Sequence, residues 1–136
     1  MIKRILICFV LLSAMNCGAT LHTQRQNFRN ENRQKLLHLL LGMTKTEVLE
    51  VMDTNTVAFH WFGEVDQLTN PHRIEAFRDS LGTEYEILFY YTDLKEPDGA
   101  ITDDELTPLV LKDNQLIGWG WSFVNENVLK YRIDIR

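Results

Sequence analysis

The side chains that could do chemistry in this sequence are few, and most stand too far apart to act together. His22, His38, His60 and His72 are scattered, and no two have the i, i+4 spacing of paired zinc ligands on a helix. Beyond the first sixteen residues serine occurs only at Ser80 and Ser122, neither inside a nucleophile elbow. Cysteine occurs only at Cys8 and Cys17, so no thiol pair is available past residue 17 and a disulfide within the following domain is excluded. No phosphate loop or dinucleotide-binding glycine pattern is present. These absences predict a protein that is not an enzyme and needs no cofactor.

One acidic segment has a ligand-like pattern. Glu96 to Glu105 places Asp98-Gly99 at a turn, Ile101 two residues later and Glu105 where the last half of an EF-hand loop carries its bidentate carboxylate. Its first half fails: Leu94 stands where the first Asp belongs, Pro97 lies inside, and Thr107-Pro108 blocks an exit helix. The segment reads as an acidic, solvated connection with no metal. Its acids are expected to be exposed, so Asp98→Asn and Glu105→Gln should change stability little.

Cys17 carries the most specific chemistry. Lys3 and Arg4 precede an apolar run from Ile5 to Leu12, and Ser13-Ala14-Met15-Asn16 leads into Cys17. Residues 1–16 therefore read as a signal peptide, with an apolar run about half the roughly 20 residues a spanning helix needs. The four residues before Cys17 resemble a relaxed lipobox, whose cysteine becomes the lipidated first residue. The alternative is ordinary cleavage nearby, before Gly18 or Thr20. Loss of Lys3 and Arg4 takes the net charge from −5 to −7, and an acidic surface disfavours nucleic acid.

These residues must be positioned by a single domain. Residues 17–33 form a polar stretch grading from tether to helix, and residues 34–136 the folded part. Leu36, Leu37, Leu39, Leu40 and Leu41 are the apolar end of a first helix, with Gly42 as its C-cap. Thr44 and Glu47 form a capping box for a second, short helix with Val48, Leu49, Val51 and Met52 on its buried side. Asp53 to Asn70, with its His60-Trp61-Phe62 cluster, is either a strand-like excursion or a loop folded on the core.

Past Pro71 the period becomes two. Ile74, Ala76 and Arg78 alternate in one strand, and Tyr85, Ile87, Phe89 and Tyr91 in the next. Leu109–Lys112 and Gln115–Phe123 flank Asp113-Asn114 as a hairpin. Residues 128–135 are a last strand or a short helix. The expected fold is α+β, with two N-terminal helices packed on a three- to four-stranded antiparallel sheet.

In the last long strand Ile117, Trp119, Trp121 and Phe123 alternate with Gly118, Gly120 and Ser122. Either the aromatic face is the core, or the bare face lies under a helix and the aromatics point elsewhere. Leu88 and Tyr90 add apolar surface on the other side of their strand, more than one helical layer covers. Leu88, Tyr90, Trp119 and Trp121 are therefore the expected protein-binding face.

Cys17, the polar stretch, the leucine-rich helix and Gly42-Met43-Thr44-Lys45-Thr46-Glu47-Val48 ahead of an antiparallel sheet resemble the SmpA/OmlA (BamE-like) lipoproteins and related bacterial lipoproteins of unknown function. Where that family has a Gly-x-Pro turn after its second helix, this chain has Asp53-Thr54-Asn55-Thr56. The resemblance implies a small helix-helix-sheet domain that acts by contact with other envelope proteins, and the chain is expected to be a palmitate-bearing lipoprotein, of the outer membrane rather than the inner. Its partners would be the membrane, through the lipid anchor, and another envelope protein. A small ligand-binding or calcium-responsive envelope module is the alternative.

Overall fold

A computed structural model describes residues 16–61, 64–96 and 98–131. The expected signal peptide falls outside these residues except for Asn16, as do Phe62 of the aromatic cluster and positions 132–135. In chain order the elements are α1 (Asn16–Leu36), α2 (Lys45–Met52), β1 (Thr56–Trp61), β2 (Glu64–Thr69), β3 (Arg73–Arg78) and β4 (Glu84–Tyr91). A 3-10 turn (Asp103–Glu105), β5 (Leu106–Lys112), β6 (Gln115–Trp119) and α3 (Trp121–Tyr131) follow. The fold is α+β. It differs from the expected one in having a third helix after the strands and two antiparallel sheets, β1-β2 and β3-β4-β5-β6.

The central strands of the four-stranded sheet, β4 and β5, are covered on both faces. Ile87, Phe89 and Tyr91 of β4 with Leu106 and Val110 of β5 meet Phe28 of α1, Leu68 of β2 and Val124 of α3. On the other face Leu88, Tyr90, Leu109, Leu111 and Leu116 meet Leu39 together with Val48 and Met52 of α2. This explains why Ile87 to Tyr91 is continuously apolar: a strand buried on both sides shows no alternation. Leu88 and Tyr90 lie under α2, and the opposite face is covered by the β1–β2 hairpin, α1 and α3.

Residues 53–70 resolve into the β1–β2 hairpin, paired from Thr56↔Thr69 to Trp61↔Glu64. The polar stretch before residue 34 is helical, and Phe28, Arg29 and Asn32 are buried. From Arg25 to Asn32 that stretch is docked on the domain rather than a free tether. Asn32 and Asn70 exchange amide hydrogen bonds of 3.0 and 2.7 Å, and the Asn32 amide also donates to the Tyr91 carbonyl at 2.8 Å. Arg29 donates to the Tyr91 hydroxyl at 2.9 Å, and Arg25 to the Asp66 carboxylate and the Gly99 carbonyl, each at 3.0 Å. Beside the apolar contacts of Phe28 and Leu36, the helix is thus held by polar groups that satisfy one another.

The β5–β6 turn is as expected, with Asp113 and Asn114 at φ 47° and 66° forming a two-residue connection. The strand after it departs from simple alternation. Val110 pairs with Gly118 but Leu111 with Leu116, which leaves Ile117 as an extra residue and turns it to the face of Phe89 and Val110. Gly120, at φ 87°, then ends the strand, and α3 begins at Trp121. Residues 128–131 are accordingly helical.

Candidate functional site

The expected binding face is largely core. Leu88 and Tyr90 are fully buried beneath α2. They serve packing, because α2 occupies the surface they would have offered. Burial pushes the Tyr90 hydroxyl well above its ordinary pKa, with nearby Asp53 adding to the effect, and the hydroxyl has no hydrogen-bond partner among the described residues. Trp119 and Trp121 are half-buried and do not share a surface. The bulge leaves Trp119 packed with Leu109 and Leu116, whereas Trp121 packs with Phe89 at a ring separation of 6.0 Å. The Trp121 indole N–H is also engaged, donating to Leu106 O at 2.8 Å and Asp103 O at 3.0 Å. The bare position Gly118 lies under α3, where a Cβ would come within 2.4 Å of the Phe123 ring.

The acidic segment is built differently from expectation. Glu105 is 1% exposed, and its two carboxylate oxygens accept from Lys95 N at 2.7 Å and Thr102 N at 3.2 Å. Both oxygens are therefore occupied in holding the loop together, which corrects the expectation that this acid is solvated. Asp98 is exposed and accepts from Ala100 N at 3.0 Å, closing the turn. No group of three potential metal ligands occurs among the described residues.

A different surface stands out. Helix α1 ends at Leu36, and the residues that follow form a loop in which Leu37, Leu40 and Leu41 are 76%, 66% and 67% exposed. The same loop is tightly fixed. Leu37 N, His38 N and Leu39 N donate back to Gln34 O, Lys35 O and Leu36 O at 3.2, 3.0 and 3.3 Å. These tighten the helix end. Leu39 turns inward and is buried among Val48, Met52 and Leu116.

Beyond it the backbone joins the edge of β6. Gly42 N donates to Leu116 O at 2.8 Å, Leu116 N to Met43 O at 2.7 Å and Lys45 N to Asn114 O at 3.2 Å. Gly42, at φ 87°, makes the approach possible, so it serves this pairing rather than the helix C-cap assigned to it from sequence. The Thr44–Glu47 capping box follows, with Thr44 N donating to Glu47 at 2.8 Å. That hydrogen bond holds the Glu47 carboxyl below its usual range, and the Thr44 hydroxyl reinforces it. Lys45 ties α2 to Glu86 at 2.6 Å.

Three leucines in water on a backbone pinned on both sides form the most distinctive surface among the described residues. The sequence carried a signal for it: Leu36 to Leu41 holds five leucines in six positions, more than one helix face can bury. Cys17 lies in the first turn of α1, at the opposite end of that helix. Among the described residues no helix is long and apolar enough to cross a membrane.

Comparison with known proteins gives a family match. The model of a family described as a protein of unknown function, DUF3192, matches residues 10–126. No curated protein and no solved structure matches the chain.

Proposed function

The chain belongs to the DUF3192 family, and from its own residues we propose that it is a non-enzymatic, lipid-anchored cell-envelope protein that works by docking another protein. The observation that carries this reading is the exposure of Leu37, Leu40 and Leu41 on a backbone fixed by Gly42, Met43 and Lys45. Apolar side chains kept in water on rigid backbone form a preorganised contact surface, and such clusters mark interfaces. The basic start, the short apolar run and Cys17 support the anchor. At about 1.5 Å per residue, α1 sets the leucine loop about 30 Å from Cys17, away from the bilayer that would hold the lipid.

The resemblance to the SmpA/OmlA lipoproteins runs through Gly42 to Val48, the segment that fixes this loop. It supports an outer-membrane location and an envelope protein as the partner. The mature net charge of −7 argues against nucleic acid.

Two measurements test the two halves of this reading. A photo-crosslinker beside the loop should capture a discrete envelope protein, and Leu40→Asp with Leu41→Asp should abolish that capture while leaving the melting temperature within about 2 °C, since both side chains are already two-thirds exposed. Capture undiminished in the double variant would refute the docking surface. A fatty-acid analogue should label the wild-type chain but not Cys17→Ala, and an unlabelled wild-type chain would refute the anchor.

A further inference from the structure

We propose that this protein pairs with a second copy of itself along strand β3, the two β3 strands lying antiparallel with Ile74 opposite Ile74 on the two-fold axis. This contact is separate from the leucine loop and independent of a lipid at Cys17.

The four-stranded sheet has two edges, and the chain treats them differently. The β6 edge is closed by the hydrogen bonds of Gly42, Met43 and Lys45, whereas β3 is the last strand on the other side. Strand β3 runs against β4 in unbroken register from Arg73↔Phe89 to Arg78↔Glu84. Asp79 N, next in that register, donates to Thr83 O at 3.1 Å. Because bonded and non-bonded pairs alternate in an antiparallel ladder, Phe77, Glu75 and Arg73 then turn their backbone groups to β4, and the N–H and C=O of Ile74, Ala76 and Arg78 point away from it. Those three residues are exposed, and among the described residues no backbone partner meets them. Within β3 no proline or bulge interrupts the edge, so it can accept another strand.

Charge selects the occupant. Ile74 is 49% exposed, and its neighbours Arg73 and Glu75 form an ion pair at 3.0 Å on the other face of the strand. Asp103 at 2.9 Å and the Phe89 ring hold the Arg73 guanidinium in place. A two-fold axis at Ile74 turns this order onto itself, so that Arg73 of each copy stands opposite Glu75 of the other. Those positions fall in non-hydrogen-bonded pairs of the new ladder, where side chains come closest. One face of the contact then carries alternating charges, and the other carries isoleucine against isoleucine. The neighbouring registers that the backbone allows are worse: centring on Glu75 opposes two carboxylates, centring on Ala76 sets Ile74 against Arg78, and centring on Phe77 sets Glu75 against Asp79. A single strand pair falls below the roughly 800 Å² per partner of a standard interface, so the dimer is reversible and concentration-dependent.

The test uses the full chain carrying Ile74→Cys, with Ala76→Cys to read the register. The Cα atoms of a directly opposed, hydrogen-bonded pair stand about 5.5 Å apart, within disulfide reach, whereas the two Ala76 positions lie about 14 Å apart along the strands. Mild oxidation should give a band of twice the chain mass with Ile74→Cys but not with Ala76→Cys, above the blank of the wild-type chain, whose cysteines are Cys8 and Cys17. Adding Glu75→Arg replaces attractive cross-strand pairs by repulsive ones and should lower the crosslinked fraction about tenfold. The melting temperature of the reduced variants, read alongside, shows that the domain still folds, and Glu75→Gln, with a smaller loss of crosslinking, serves if Glu75→Arg does not fold. No doubled band with Ile74→Cys, an equal or stronger one with Ala76→Cys, or a yield indifferent to the charge at position 75 overturns the dimer. A crosslinked band of any other mass overturns it too, and gives the edge to a different protein.

Discussion

Glu105→Gln should destabilise the protein substantially, whereas Asp98→Asn should not, although the two acids share one acidic segment. The Glu105 carboxylate is 1% exposed and receives one backbone N–H on each oxygen, from Lys95 and from Thr102. A glutamine amide keeps only one acceptor, so its NH2 must face a backbone N–H, and one buried donor is left without a partner. An unsatisfied buried group costs about 1–3 kcal/mol, and hydrogen bonds to a charged acceptor are the stronger kind. A loss of about 2–3 kcal/mol corresponds to a fall in melting temperature of roughly 6–12 °C for a domain of this size. Asp98 is exposed, and the Ala100 N–H it receives can be met by an asparagine carbonyl, so its replacement should shift the melting temperature by less than about 2 °C. Differential scanning fluorimetry of the two single variants in calcium-free buffer checks both. A shift below 2 °C for Glu105→Gln, or a calcium-dependent rise in the wild-type melting temperature lost in that variant, would refute the reasoning, because either result would mean that the carboxylate is free.

Two other substitutions probe how the helices are held. Asn32→Ala removes the donor to Asn70 Oδ1 and to Tyr91 O and leaves the Asn70 amide N–H only its 3.5 Å bond to Met52 O, so the urea midpoint should fall by an amount equivalent to about 2–4 kcal/mol, with faster proteolysis within α1; an unchanged midpoint would mean that α1 is not docked there. Gly118→Ala places a Cβ 2.4 Å from the Phe123 ring and should cost about 1–3 kcal/mol, and Phe123→Leu in the same chain should recover part of it; strictly additive losses in the double variant would refute the contact.

What the sequence disclosed and what it concealed follow from how far apart the deciding residues lie. The Asp113-Asn114 hairpin and the Thr44–Glu47 capping box are decided within a few residues, and both form as read. The end of α1 is decided by residues 80 positions away: nothing within Leu36 to Leu41 stops a helix, but Leu116 offers both its backbone groups to Gly42 and Met43, and the chain leaves the helix to take them. The candidate site was misplaced for the same reason. One extra residue at Ile117 reverses every later side chain, and Gly120 then ends the strand, so the regular spacing of Ile117, Trp119, Trp121 and Phe123 corresponds to no common face. Glu105 looks like its acidic neighbours in sequence, and only the loop that wraps it marks it as core.

The distribution of covered surface narrows where this protein can act. Both faces of the central strands β4 and β5 are occupied, and the outer edge of β6 is taken by residues 42–45 of the same chain. An apolar side chain added to either face would meet core rather than a partner. The exposed leucines Leu37, Leu40 and Leu41 lie beyond the C-terminal end of α1, while Cys17 lies in the first turn of that helix. A polar helix that binds its own domain through Arg25, Arg29 and Asn32 then acts as a strut about 30 Å long. Its polar contacts fix its angle to the sheet, so the lipid proposed at Cys17 would set how far from the bilayer the leucine loop stands. Loosening the strut at Asn32 should therefore impair docking at Leu40 without touching the loop itself, an effect that mutation of an independent binding patch would not produce.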